Sequence, residues 1–211
     1  MKAWNNWLLI ANGAPLCELK LRALAEHRRV MVLDGAYCCI KELGLNIDVL
    51  LGDFDSLDPC FLQQAKKATI EIIHTPDQNQ TDFEKGIRYL DSRGAEDILV
   101  CAATGRRLQH TLYNLRLLKK FYHPRRSMVL LTATESIRYL QNETFRLVGK
   151  IGDGVGLFGF PHAKATTCGL HYEMRDFALT FADQASVSNA LLQQEAIIQI
   201  AGEALCIHED T

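Results

Sequence analysis

Apolar positions in the first two thirds of the chain fall into short runs that end in small or acidic residues. Such runs cover Trp7 to Asn12, Arg29 to Asp34, Asp48 to Asp53, Ile70 to Thr75, Ile98 to Ala103 and Met128 to Thr132. Several are unbroken, as strands buried on both faces require. Helical patterns fill the gaps. Leu16 to Glu26 opens after Pro15, and Tyr37 to Leu43 closes at Gly44, a natural helix end. Pro59 suits the first turn of a helix over Cys60 to Lys67. Asp82 to Arg93 closes at Gly94, and Leu108 to Phe121 ends before Pro124. Strand, helix and strand in repeated alternation predict a parallel sheet with helices on its faces.

The texture changes near Thr134. From Glu135 onward helical periodicity fades, and glycines recur at 149, 152, 154, 156 and 159. Short apolar runs follow at Phe177 to Phe181, Ala196 to Ala201 and Ala204 to Ile207, and Gly202-Glu203 between the last two reads as a hairpin turn. The pattern therefore predicts an α/β domain over 1–134 and an all-β domain over 135–211. Gly154 to Gly159 matches the G-x-G-x-x-G dinucleotide fingerprint. That fingerprint needs a strand before it and a helix after it; here Pro161 follows and both flanks read as strands, so the match is set aside.

Composition narrows the picture by exclusion. The 211 residues are 48% hydrophobic and 23% charged, with a formal net charge of −2. That supports a real core and gives no electrostatic grip on nucleic acid or an anionic membrane. No apolar stretch nears the roughly 20 residues that span a bilayer, and Trp4 to Ala11 lacks the basic start of a signal peptide. Seven cysteines, an odd count without a C-x-x-C pair or zinc spacing, read as free thiols of a reducing cytoplasm.

Polar residues gather where such a sheet would bind a ligand, beyond the carboxyl ends of its strands. Asn12-Gly13 follows the first strand, Asp34-Gly35 the second, Gly52-Asp53-Phe54-Asp55-Ser56 the third, Thr75 to Asp82 the fourth and Thr104 to His110 the fifth. Asp53 and Asp55, two apart, can face one point if the chain stays extended there, and paired carboxylates suit a hard cation such as magnesium beside phosphate. The same run also suits an Asx turn followed by a helix cap at Ser56 or Asp58. Thr81 is a good N-cap and Glu84 completes a capping box. Capping leaves Gln78, Asp82 and Lys85 unaccounted for, and free amides at a helix start also receive phosphate oxygens. Arg106 and Arg107 are planar phosphate ligands or a solvated basic loop. No Walker A, H-E-x-x-H or G-x-S-x-G motif occurs.

Taken together, these segments resemble the thiamine pyrophosphokinase family. Leu33 to Ala36 is similar to its alanine–aspartate–glycine–glycine turn, and Asp48 to Ser56 to its most characteristic block. Gln78 to Asp82 with Lys85 matches its Q-D-x-T-D segment and a lysine one turn later. Thr104 to His110 resembles T-G-G-R-L-D-H, Thr167 to Tyr172 resembles T-K-G-L-K-Y/W, and Ser188-Asn189 matches a late S-N pair. The resemblance implies an N-terminal Rossmann-like α/β domain that binds ATP and magnesium. It implies a C-terminal β-sandwich that binds thiamine and dimerises, and an active site at the interface of a homodimer. It assigns catalysis to Asp55, Asp82, Lys85 and Arg107, and the metal to Asp53, Asp55 and Asp82. Asn12, Asp34, Gln78, Thr81 and Gln109 would bind nucleotide and phosphates, and Tyr172, Ser188 and Asn189 thiamine; an aromatic face such as that of Tyr172 attracts a cationic thiazolium. The implied reaction yields thiamine diphosphate and AMP. The sequence departs from the family pattern at Ala36, Asn79, Arg106, Gln109, Cys168 and His171. Loss of carboxylates at Asn79 and Gln109 leaves open a pterin-like acceptor or a binder without turnover, since an amide takes no proton as a base.

Overall fold

A computed structural model describes residues 5–55, 57, 60, 63–65 and 68–209. The predicted helix over Cys60 to Lys67, with Pro59, and the cap positions Ser56 and Asp58 lie wholly or partly outside the described residues. The chain divides into two compact units, Met1–Ala133 and Thr134–Thr211.

The first unit holds strands β1 (Asn6–Ile10), β2 (Arg29–Leu33), β3 (Val49–Gly52), β4 (Glu71–His74), β5 (Asp97–Cys101) and β6 (Ser127–Leu131). Its helices are α1 (Glu18–Glu26), α2 (Tyr37–Glu42), α3 (Asp82–Ser92) and α4 (Leu108–Lys120), with a 3-10 turn at Asp34–Ala36 before α2. Each strand ends a residue or two earlier than its apolar run, which releases the polar residues at its crest. Helix α1 starts at Glu18 rather than Leu16, because Leu16 enters the core from an extended segment.

The strands lie in the order β6-β5-β1-β2-β3-β4, all parallel. From β1 the chain winds outward through β2, β3 and β4, then returns to the other side of β1 to lay down β5 and β6. The winding direction reverses at β1. In an open parallel sheet this is the point where the crests diverge and leave a crevice for a ligand. Strand burial fits a sheet covered on both faces: β3 is buried throughout, and β1 and β2 are buried at four of five positions. Leu8, Ile10, Val30, Val32, Leu50 and Val129 share one core cluster with Tyr37 and Ile40 of α2.

The second unit holds β7 (Glu135–Val148), β8 (Gly154–Cys168), β9 (Phe177–Thr180), β10 (Ala185–Ala190) and β11 (Glu195–Glu209). Its strands run antiparallel in the order β10-β8-β11-β7, with β9 paired to β8. The G-x-G-x-x-G match lies inside β8, where buried and open positions alternate. The expected hairpin at Gly202-Glu203 does not form. One strand, β11, runs through both apolar segments and keeps β7 and β8 as partners on either side of a register shift. Gly202, at φ +101°, supplies a bulge, and its N–H donates to Asn142 Oδ1 at 2.7 Å. No helix among the described residues is long and apolar enough to cross a membrane.

Candidate functional site

The crests of β1 to β5 and the starts of α3 and α4 enclose a cleft of about 440 Å3 in the first unit. Asn12, Asp53, Gln78, Thr81, Asp82, Lys85 and Arg107 of the predicted site line it, joined by Gln80, Arg106, His110 and Asn114. An acidic pocket lined by Asn12, Asp34, Gly35, Asp53, Asp55 and Asp82 adjoins it. Asn12, Asp53 and Asp82 belong to both, so the carboxylates stand where the two spaces meet.

Asp34 braces the acidic side. Its Oδ1 accepts from the Gly35 N–H at 2.6 Å and its Oδ2 from the Phe54 N–H at 2.9 Å. The brace depends on Gly52, since a Cβ there would lie 2.2 Å from the Asp34 carboxylate. Burial raises the Asp34 carboxyl above the usual range. The Phe54 N–H opposes this, the charge of Asp82 adds to it, the Gly35 N–H opposes it again, and Asp53 adds a smaller push upward. The chain after β3 is not extended: Phe54 takes φ 62° and stacks on His74 with ring centroids 5.7 Å apart. Asp53 Oδ1 accepts from the Asp55 N–H at 3.2 Å, an Asx turn, and Gln78 Nε2 donates to Asp53 Oδ2 at 3.3 Å. The turn and the convergence of carboxylates are thus one feature. A left-handed Phe54 brings Asp53 and Asp55 to the same pocket, where extended backbone was expected to do so.

The basic side comes from the starts of α3 and α4. Lys85 Nζ donates to Thr75 O at 2.9 Å and to Asp82 Oδ1 at 3.1 Å, which fixes an almost buried ammonium on the cleft wall. Arg106 and Arg107 are exposed and pair with no carboxylate among the described residues. Asn114 Nδ2 donates to Ala103 O at 2.7 Å and ties α4 to the crest of β5. Gln109 is exposed and lies off the cleft, as does Asn79, whose amides bond Asp77 Oδ1 at 2.9 Å. His110, the last residue of the segment that resembles T-G-G-R-L-D-H, lines the cleft. Among the described residues no three His, Cys, Asp or Glu side chains form a group able to enclose a metal ion.

The capping box forms by half. Thr81 Oγ1 accepts from the Glu84 N–H at 3.2 Å, but the Glu84 carboxylate does not turn back to the helix start. It is buried, and it accepts from Tyr113 Oη at 2.5 Å, Lys120 Nζ at 2.7 Å and Arg88 Nη2 at 2.9 Å. Sequence reading missed this because Tyr113 and Lys120 lie on another helix, 29 and 36 residues away.

In the second unit Tyr172 sits on the connection from β8 to β9 with 64% of its surface exposed. Asn189 is buried, with its amide committed to backbone: its Oδ1 accepts from the Tyr172 N–H at 2.9 Å and its Nδ2 donates to Tyr172 O at 2.7 Å. Glu173, unnoticed in the sequence, clamps the other side by accepting from Thr167 Oγ1 at 3.0 Å and the Gly169 N–H at 2.6 Å. Ser188 is exposed on β10. Asn189 is therefore a clamp that fixes the segment presenting Tyr172.

Comparison with known proteins accounts for both units. Residues 21–130 match the family model for the thiamin pyrophosphokinase catalytic domain, and residues 141–205 that for the thiamin pyrophosphokinase vitamin B1 binding domain. Thiamin pyrophosphokinase 1 of Caenorhabditis elegans is 24% identical over 162 residues, which is 72% of this chain and 65% of that protein. Thiamine pyrophosphokinase 1 of Oryza sativa subsp. japonica is 29% identical over 163 residues, 71% of this chain and 61% of that protein. The chain thus spans less than two thirds of the length of these two relatives. The crystal structure of thiamine pyrophosphokinase from Bacillus subtilis superposes with TM-score 0.84 at 18% identity, covering 98% of this chain and 99% of that one. Thiamin pyrophosphokinase from Candida albicans gives the same TM-score of 0.84 at 18% identity over 98% and 90%. The structures establish the shared fold, the two domain matches cover most of the sequence, and on these grounds the chain belongs to the thiamin pyrophosphokinase family.

Proposed function

We propose that this chain moves the β,γ-diphosphate of ATP onto the hydroxyl of thiamine, giving thiamine diphosphate and AMP. The observation that carries this reading is the meeting of Asp53 and Asp82 with Lys85, Arg106 and Arg107 in one cleft that adjoins the acidic pocket, neither arginine having a carboxylate partner among the described residues. Acid on one side and base on the other suit a polyphosphate with its cation between them.

Magnesium fits this donor set. It keeps several waters and takes one or two carboxylates plus substrate phosphates, and Asp53, Asp55 and Asp82 line one pocket. Asp53, Asp55 and Asp82 would hold it, and when bound it would offset charge on the phosphate oxygens. Asp34, spent on bracing the turn, sets where those carboxylates stand. Gln78, Lys85, Arg107 and the amides left free at the start of α3 would hold the triphosphate, while Thr81 takes the Glu84 N–H of that turn. Lys85 suits this role because its ammonium is already fixed by Thr75 and Asp82. Arg106, where the family has glycine, adds a second guanidinium. Asp82 would take the proton from the attacking hydroxyl. The two departures of most concern, Asn79 and Gln109, stand off the cleft, which favours thiamine over another acceptor and turnover over binding alone.

Thiamine recognition falls to the second unit in this reading. Tyr172, clamped and exposed, offers its ring to the thiazolium; Ser188 is an open hydroxyl nearby in sequence to the Asn189 clamp. Strands of 14 and 15 residues broken by a bulge suit a sheet that closes on itself as a sandwich, and the reversal at β1 suits a Rossmann-like first unit. A homodimer belongs to the same reading, since the second unit exposes Val148, Ile151, Phe181, Val187 and Leu192.

The test is product analysis with ATP and thiamine, with and without magnesium. AMP and thiamine diphosphate in equal amounts, only with the metal, are expected. ADP as the product would rule out diphosphate transfer. Thiamine binding by calorimetry without turnover would make the chain a binder.

A further inference from the structure

Glu84 is a buried carboxylate that takes no part in the cleft, yet it joins the two helices whose starts form the cleft's basic wall. It lies on α3 between Asp82 and Lys85, which face the cleft, and its own side chain points the other way. Its Oε1 accepts from Arg88 Nη2, one turn along α3, and from Lys120 Nζ at the end of α4. Its Oε2 accepts from Tyr113 Oη, next to the Asn114 that ties α4 to the crest of β5. Tyr113 and Lys120 are seven residues apart and so share one helix face, two turns from each other. One carboxylate therefore grips α4 at two heights, which fixes both the gap between the helices and their rotation. A buried ion pair adds little stability over apolar packing of the same shape. A rigid, directional link is what this one supplies.

We infer that Glu84 is a positioning residue that sets the spacing between the Asp82–Lys85 wall and the Arg106–Arg107–His110 wall, and with it the fit of the cleft to a polyphosphate. The inference rests on the pyrophosphokinase reading for its substrate, and on the geometry of α3 and α4 for its mechanism. The loss of Glu84 should weaken the fold without unfolding it. The side chains of Arg88 and Lys120 are 47% and 40% exposed and can turn to water if the carboxylate is neutralised.

The experiment measures KM for ATP and kcat separately, with saturating magnesium and thiamine, for wild type, Glu84→Gln, Tyr113→Phe and the double variant, below the melting temperature of each. Glu84→Gln should raise KM for ATP on the order of tenfold, because both walls touch the same ligand and a small misplacement weakens both. Tyr113→Phe should move KM the same way by less, and the double variant should add little to Glu84→Gln, since the two act through one link. A merely structural carboxylate would lower the melting temperature and reduce kcat by the inactive fraction, leaving KM alone. Wild-type KM in both single variants would overturn the inference. If Glu84→Gln does not fold, Tyr113→Phe alone decides. If the wild type makes no thiamine diphosphate, the functional reading fails instead, and the Kd of an unreactive ATP analogue with magnesium then reads the spacing: a weakening in the same order supports it, and unchanged affinity sinks it.

Discussion

Asp55 and Gly52 bear different loads within the same few residues. Asp55 is exposed, lines only the acidic pocket, and joins the turn by donating its backbone N–H to Asp53, not through its carboxylate. Asp55→Asn is therefore expected to cut kcat by roughly a hundredfold or more if the carboxylate holds the metal, while stability stays within about 0.5 kcal/mol. Steady-state rates beside urea denaturation check this, and near-wild-type turnover would remove Asp55 from the metal site. Gly52→Ala should do the reverse in part. Its Cβ would fall 2.2 Å from the Asp34 carboxylate, so Asp34 must leave the N–H groups of Gly35 and Phe54. The expected cost is about 1–3 kcal/mol, with magnesium-dependent activity lost as well, read by thermal melting and by the magnesium titration of the rate. At this scale the sequence displays identity and spacing but not direction. Asp53, Asp82 and Lys85 were legible because crest residues of adjacent parallel strands and the helix starts that follow them converge on one edge. The left-handed Phe54 and the clamp role of Asn189 were not, since each depends on what the neighbouring backbone leaves unpaired.

Helix α3 is an element whose start was read correctly while one of its side chains was not. The capping signal places the start of α3 properly, because Thr81 alone satisfies the Glu84 N–H. It misplaces the Glu84 side chain, because three donors in a buried niche outcompete the single backbone amide at the helix start. Burial by itself would raise the Glu84 carboxyl; hydrogen bonds from Lys120, Tyr113 and Arg88 and the charge of Lys120 outweigh it and bring it down to about 2. The unfolded chain holds a glutamate near 4.3. A depressed acid contributes stability that is complete above the unfolded value and is lost as pH falls toward the folded one. Between about pH 4.5 and 2 the contribution of Glu84, on the order of 3 kcal/mol, should disappear. Urea denaturation from pH 6 down to 3 should show a shallower loss for Glu84→Gln than for wild type, and parallel curves would mean that the niche does not hold its charge. Gly202 is the matching case in the second unit. Glycine with apolar flanks signals a break in pairing, and the sequence does not distinguish a reversal from a bulge. Only the continued pairing of both halves with β7 and β8 decides that the chain goes straight on.

Across the whole molecule the legible part was the order of events: crests, helices, a change to β structure, and polar residues gathered beyond the strands' carboxyl ends; the reversal of winding at β1 came only with the strand order. What could not be read is which thiols lie within each core, since cysteine falls on both sides of every boundary. None of the seven is in a disulfide, and two are buried: Cys101 at the end of β5 in the unit that carries the cleft, and Cys206 in β11 of the other. Burial pushes both thiols up to about 12, so neither supplies thiolate in the folded state. Cys17, Cys39, Cys60 and Cys168 are exposed. A maleimide at neutral pH should therefore label these four promptly and reach Cys101 and Cys206 only through opening of the units around them. Those two sites then report on each unit separately. A ligand that binds only the folded cleft stabilises it by mass action, by about 2.7 kcal/mol at a hundred times Kd. An unreactive ATP analogue with magnesium should accordingly slow the labelling of Cys101 in mild denaturant by up to roughly a hundredfold, measured peptide by peptide in a mass spectrometer. Unaltered labelling of Cys101 would place nucleotide binding outside the first unit. Equal slowing at Cys206 would mean that the two units open as one, and slowing at Cys206 by thiamine would tie the Tyr172 segment to the second substrate.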